Sequence, residues 1–418
     1  MSEEQAMEQA GQQGAERVAE RREAPEAMTE AMVDAAAPAA RAPGAAPSSG
    51  APSSDTPAGA ALATHDAVDW WTERLVEAGE LEAAVVDALS PERDALHAVS
   101  GPLRRLSLAA ARGLATAQRA ATQSEWGVAD RALARAHARL AAAAHVAAVA
   151  VRDAAPGDDV AVRVPQGFAY DGLYPEAYAA AARRLASHVG PPRALVVGLR
   201  GIGAGLSAVV ADTLARRGVD VRSVTVRPRG HRLDRTLAAD EALDRMLREA
   251  AATPGTWAVV VDEGPGATGS SFAGTAAALA ARGFDDARIV LFASRDAEPH
   301  RLESESARAR WPLHRRFVAD FDDAVLARGD VRCHVPGHGC RLEAVRADGV
   351  EALAFRCGAE HEGDGPVRLT FVGLGRYGRE RAADAHRRAA AGQGPRVLGL
   401  RRGFLITADD GPAAGGAG

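Results

Sequence analysis

The chain has no lysine: all 50 of its lysine-plus-arginine positions are arginine. This composition bias carries chemical weight. A Walker-type phosphate loop needs a lysine, as do Schiff-base and pyridoxal chemistry, so those mechanisms are excluded. Cysteine is scarce. Cys333, Cys340 and Cys357 are the only three, too few for a disulfide framework. Aromatics make up 4% of the chain, so any local group of them stands out. Long apolar runs are missing. The most apolar stretch, LAAAAHVAAVAV at 140–151, is interrupted by His145 and is too short and alanine-rich to span a bilayer. The opening MSEEQAMEQAGQQGAERVAERREAPE places no apolar core behind a basic end, so no signal peptide is expected. A net charge of −5 gives no overall basic footprint for nucleic acid or an anionic membrane. The expectation is a cytoplasmic protein that binds neither.

A length of 418 residues suits two or three domains. Residues 1–62 are rich in Ala, Pro, Ser, Gly and Glu and cannot bury enough apolar surface to offset ordering, so a disordered tail is expected. Residues 63–155 read as a helical region. Asp66 is placed to cap a helix with the stripe Val68, Trp71, Leu75 and Val76, and Ser90-Pro91 reads as the start of the next. Trp70 and Trp71 read as one core residue and one partly exposed neighbour. Alanine-rich helices follow at 104–122 and 128–152.

Residues 156–300 change character. Apolar runs at 194–199, 219–227, 257–261 and 287–294 alternate with alanine-rich helices. Such alternation predicts an α/β fold with a doubly wound, mostly parallel sheet. In these sheets ligands sit at the carboxyl ends of the strands. Residues 301–418 read as a smaller C-terminal α/β segment of unassigned role, with a strand at 367–375 and a helix at 379–391.

Two glycine-rich loops lie at that ligand edge. The first is Asp262-Glu263-Gly264-Pro265-Gly266-Ala267-Thr268-Gly269-Ser270-Ser271. Its carboxylates stand where a buried strand ends, and they suit sugar hydroxyls better than phosphate. Its glycines allow close backbone approach. Its hydroxyls fall where a helix begins, so free N–H groups and the helix dipole favour an anion. A ribose 5-phosphate satisfies both ends of this loop. The alternative is a strand-to-helix turn in which a serine merely caps the helix. The second loop, Arg200-Gly201-Ile202-Gly203-Ala204-Gly205, carries an arginine and no carboxylate and suits a second anion. A third segment, residues 227–235, gathers Arg227, Arg229, Arg232 and Arg235 with His231. It reads either as a cover that neutralises a polyanion or as a solvated basic loop.

The stretch VVVDEGPGATGSSF resembles the phosphoribosyl pyrophosphate (PRPP) motif of type I phosphoribosyltransferases: an apolar strand, two acids, a linker, then Thr-Gly-x-Ser/Thr. VVGLRGIGAGLS and VTVRPRGHRLDR fall in the order of that family's pyrophosphate loop and hood. The resemblance spans about residues 165–296. It implies that Asp262 and Glu263 hold the ribose hydroxyls and carry catalysis. It implies that Gly266, Ala267, Thr268, Gly269, Ser270 and Ser271 cradle the 5-phosphate. Arg200, Gly201, Gly203, Arg227 and Arg229 would hold the pyrophosphate. Mg²⁺ would be bound mostly by PRPP itself, not by protein side chains. The partners implied are PRPP and a small acceptor, with a homodimer left open. The linker Gly264–Ala267 is one residue longer than the usual pattern, and Glu263 stands where a second Asp is commoner. Two functions follow: transfer of phosphoribosyl to an acceptor with loss of pyrophosphate, or non-catalytic sensing of PRPP or a nucleotide. A structural protein with a degenerate site is a third reading, opposed by the intact acids.

For the acceptor, FAYDGLYPEAY supplies Tyr170 and Tyr174, with Phe168 and Tyr178 nearby; the alternative is that these rings pack the domain edge. Cys333, His334, His338, Cys340, Cys357 and His361 lack the C-x2-C spacing of a zinc site and read as reduced thiols and loop histidines, with a metal site as the alternative. Gly373-x-Gly375-x-x-Gly378 has the letters of a dinucleotide loop, but no acidic residue follows about 20 positions on.

Overall fold

The computed structural model of the protein describes residues 20–22, 57–122, 126–154, 160–319, 343–344, 354–357 and 366–409. A short strand β1 (Glu20–Arg22) pairs antiparallel with β2 (Val160–Val162), so part of the expected tail is ordered against the domain. Three long helices follow: α1 (Pro57–Leu89), α2 (Ser100–Thr122) and α3 (Trp126–Ala154). Two sequence expectations are corrected here. The first helix starts at Pro57, inside the predicted tail, so Asp66 is not its cap. Residues after Ser90 form bends and a turn, with Asp94 bridged to Ala239, and the next helix starts only at Ser100. The tryptophan reading holds. Trp71 is fully buried and Trp70 half-buried, edge-on at 4.9 Å.

After α4 (Gln166–Ala169) and α5 (Pro175–His188) comes the α/β unit. Its strands are β3 (Arg193–Leu199), β4 (Asp220–Val226), β7 (Thr256–Val261), β8 (Ile289–Ala293) and β9 (Arg315–Val318). They form one all-parallel sheet in the order β4-β3-β7-β8-β9. Both faces are covered, which is why the central strands are almost continuously apolar. Helix α6 (Ile202–Ala215) links β3 to β4, and α8 (Ser270–Ala280) follows β7. Between β4 and β7 the chain makes a hairpin, β5 (Arg229–His231) and β6 (Asp234–Thr236), then α7 (Glu241–Ala252). Helix α9 (Glu305–Arg310) precedes β9. Since β9 completes this sheet, residues 301–319 belong with it and not with the C-terminal segment.

The C-terminal segment is an antiparallel sheet in the order β10-β11-β12-β14-β13. Its strands are β10 (Glu343–Ala344), β11 (Ala354–Cys357), β12 (Val367–Phe371), β13 (Val397–Arg401) and β14 (Phe404–Ala408), with helix α10 (Arg376–Ala390) inserted before β13. Phe355, Leu369, Phe371 and Phe404 share one core with Val76 of α1, Tyr174 and Tyr178 of the α5 region, and Val259 of β7. All three regions therefore meet in a single apolar cluster. The Gly373–Gly378 turn lies in that seam. Leu374 N–H donates to Phe168 O at 2.8 Å, and Arg381 donates to Ala169 O and Val372 O. It is a packing joint and does not open as a cofactor loop. Cys333, His334, His338, Cys340 and His361 lie outside the described residues, as does the side chain of Cys357.

Candidate functional site

The order of the parallel strands in chain sequence is 2-1-3-4-5. The chain leaves β3 in one direction and returns to β7 on its other side, which creates a crevice between the two loops at their carboxyl ends. The loops singled out in the sequence are these two. They touch. A Cβ on Gly203 would lie 2.6 Å from Val261 O and 3.1 Å from Asp262 Oδ1, so only glycine lets the loops close on each other. The Gly203 N–H donates to the Asp262 carboxylate.

The backbone of the acidic pair is fixed from two sides. Asp262 N–H donates to Phe292 O at 3.2 Å, and Ser294 N–H donates to Glu263 O at 2.7 Å, continuing the ladder beside β8. From α5, the Tyr178 hydroxyl is placed 2.7 Å from Asp262 O and 3.0 Å from Glu263 O. Tyr178 thus positions both acids without facing a ligand. The Glu263 carboxyl accepts from Gly167 N–H and shares a hydrogen bond with the Asp171 side chain. Asp171 was not selected from the sequence. An Asp-Gly after an aromatic run reads as a turn, and nothing in the linear pattern ties it to Glu263.

Burial raises the pKa of Asp262 to about 7, against the opposing pull of Glu263 N–H, Arg227, Arg235 and Gly203 N–H. Burial, then Asp262 and Asp171, raise Glu263 to about 8. At neutral pH burial therefore keeps protons on this acidic pair.

The loop from Gly264 turns through Gly266 and ends on Gly269, which sits in the left-handed region at φ 68° and caps α8. A side chain at Gly266 would meet nothing within 4 Å, so the loop faces open space there. Thr268 Oγ1 and Ser270 Oγ are 3.1 Å apart. The hairpin β5–β6 lies over this end. Ser270 Oγ donates to Arg232 O at 2.6 Å, and Arg235 donates to Ser271 Oγ at 3.0 Å. Arg232 also pairs with Glu303 at 2.5 Å. The cradle residues expected from the sequence, Gly266 to Ser271, are thus together at one helix start, under the hairpin. Arg235 is the hairpin arginine that reaches them.

The expected pyrophosphate arginines are placed differently. The Arg200 side chain is fully buried, donating to Asp87 at 2.7 Å and also to Asp94. Arg227 pairs with Asp87 at 2.5 Å, and Arg229 with Asp94 at 3.0 Å. Burial lowers the pKa of Arg227. These guanidiniums lock α1 and the segment after it to the sheet edge, and that occupies the side chains the sequence assigned to an anion. Gly203 packs against Asp262, and a side chain at Gly201 would meet nothing within 4 Å. Tyr174 is corrected as an acceptor contact: it is buried, stacks edgewise on Phe371 at 6.1 Å, and donates its hydroxyl to Arg402 O. Tyr170 remains 43% exposed, with the Arg381 guanidinium 4.3 Å above its ring.

Among the described residues no group of three His, Cys, Asp or Glu side chains is arranged to hold a metal ion, and no helix is long and apolar enough to cross a membrane. Compared with known proteins, the chain matches no family model, no curated protein and no solved structure.

Proposed function

We propose that the crevice between the β3 and β7 loops binds PRPP with Mg²⁺ and that the protein transfers its phosphoribosyl group to a small acceptor. The observation that supports this is the convergence at one strand-order reversal of an acidic pair and a glycine-capped, hydroxyl-rich helix start. Asp262 and Glu263 would accept from the ribose hydroxyls, and the start of α8 would take the 5-phosphate. The oxygen donors present suit Mg²⁺, whose remaining ligands would be substrate oxygens and water. When bound, the ion neutralises the leaving pyrophosphate. In the transfer, the C1–oxygen bond breaks and its electron pair leaves with the pyrophosphate. An acceptor lone pair forms the new bond to C1. Glu263, once deprotonated, is placed to steady the cationic sugar or to take the acceptor's proton, with Asp171 beside it.

The pairing of Arg200, Arg227 and Arg229 with Asp87 and Asp94 favours a second reading, in which the same crevice senses PRPP or a nucleotide without turnover. Calorimetry with PRPP and Mg²⁺ tests binding. Wild type binds, and Asp262→Asn/Glu263→Gln loses at least tenfold in affinity, since a charged hydrogen bond is worth about 1.5–3 kcal/mol. No wild-type binding, or equal binding by the variant, would sink the ribosyl-phosphate reading. Pyrophosphate release across an acceptor panel then separates transferase from sensor.

A further inference from the structure

The strongest unassigned feature lies on the far side of the helical region. Helices α2 and α3 and the end of α6 flank an open groove of about 410 Å³. Five arginines line it: Arg112, Arg119, Arg135, Arg139 and Arg216. Among the described residues, Asp212, buried at the base, pairs with two of them, Arg112 and Arg216.

The groove is organised from below. Asp212 accepts from Arg112 Nε at 3.0 Å and from Arg216 Nε at 2.5 Å, and Arg216 also donates to Arg112 O at 3.1 Å. Two guanidiniums are thereby held in place with further N–H donors to spare. Arg119 has its pKa lowered by burial and by the repulsion of Arg216. Arg135 and Arg139 are exposed on one face of α3, one turn apart, and have no hydrogen-bond or ion-pair partner among the described residues. The floor between them is alanine, at Ala132, Ala136 and Ala215, which leaves room for a ligand. Structural arginines are normally matched by carboxylates, as around Asp87 and Asp94 in this protein. Here, among the described residues, Arg135 and Arg139 have no such match.

We infer that this groove is a binding site for a compact oligophosphate, a chain of two or three phosphoryl groups, free or carried by a nucleotide. Guanidinium forks match phosphate oxygens two at a time, and several forks in one concavity favour a ligand with several charges close together. A short groove flanked by three helices favours a small anion over an extended polymer. The groove lies at the end of α6 opposite the crevice, about 20 Å along a helix of this length. The inference does not rest on the PRPP reading.

Calorimetry on the full chain with tripolyphosphate and with ATP tests it. Wild type binds both. Arg135→Ala/Arg139→Ala loses at least tenfold in affinity for both while keeping its melting temperature. Asp262→Asn/Glu263→Gln, altered only at the crevice, binds tripolyphosphate as wild type does. Loss of binding in the crevice variant with retention in the arginine variant would overturn the proposal. So would no binding by wild type, or tighter binding of a mixed-sequence oligonucleotide than of tripolyphosphate at the same salt, which would make the groove a nucleic-acid surface.

Discussion

Asp262 and Glu263 are expected to set the pH response of the protein. Unfolded, they ionise near pH 4. Folded, burial raises them to about 7 and 8. Between those values the folded chain binds more protons than the unfolded one, so stability falls as pH rises through the window. An amide removes that penalty. Asp262→Asn is therefore expected to melt above wild type at about pH 8.5 and to converge with it toward about pH 5. A melting-temperature difference that does not change with pH would contradict this. If ribose hydroxyls donate to the ionised acids as proposed, PRPP binding should tighten from about pH 6 to about pH 8.5, with protons released on binding. Calorimetry in buffers of different ionisation enthalpy counts them. The acids themselves were legible in the sequence because an apolar run ends on them. Their protonation was not, because it depends on Asp171 and on burial, which only the folded chain brings together.

At the scale of elements, the hairpin β5–β6 is held on α8 by close backbone packing. A Cβ on Gly274 would fall 2.0 Å from Arg235 O, so any larger residue there must push the hairpin away. Gly274→Val is expected to leave the sheet intact, by circular dichroism, and to speed tryptic cleavage at Arg232 and Arg235 several-fold. Unchanged cleavage would mean that the hairpin is not seated as described. The sequence announced the strands well, since β-branched runs such as Val259–Val261 fit only a sheet buried on both faces. It announced the hairpin poorly. Its strands are three residues each, and a run of arginines gives no period to read. It also misplaced Arg200, because an arginine beside glycines looks the same whether it faces an anion or a buried aspartate contributed by another helix.

For the whole molecule, the helical region acts as part of the core. Asp94 closes it onto the sheet through Arg200 and Arg229, while its N–H donates to Ala238 O at 2.7 Å. Asp94→Ala leaves Arg200 buried and short of a partner, at a cost of about 3–5 kcal/mol. The expected result is loss of most soluble folded protein, with Asp94→Asn retaining more of it. Glu80 joins the same helix to the C-terminal segment through Arg376 and Tyr377, the latter hydroxyl at 2.6 Å. With α1 tied to both sheets, calorimetric melting should show one main transition. Two well-separated ones would contradict the shared core.

The contact between Ser270 and Arg232 also has a kinetic consequence. If the start of α8 takes the 5-phosphate as proposed, the ligand would have to displace the Ser270–Arg232 contact, so arrival and accommodation would be separate events. Mixed rapidly with excess ligand, the protein should show an observed rate that climbs with concentration and then levels off. The plateau measures how often the hairpin opens by itself, and Gly274→Val should raise it.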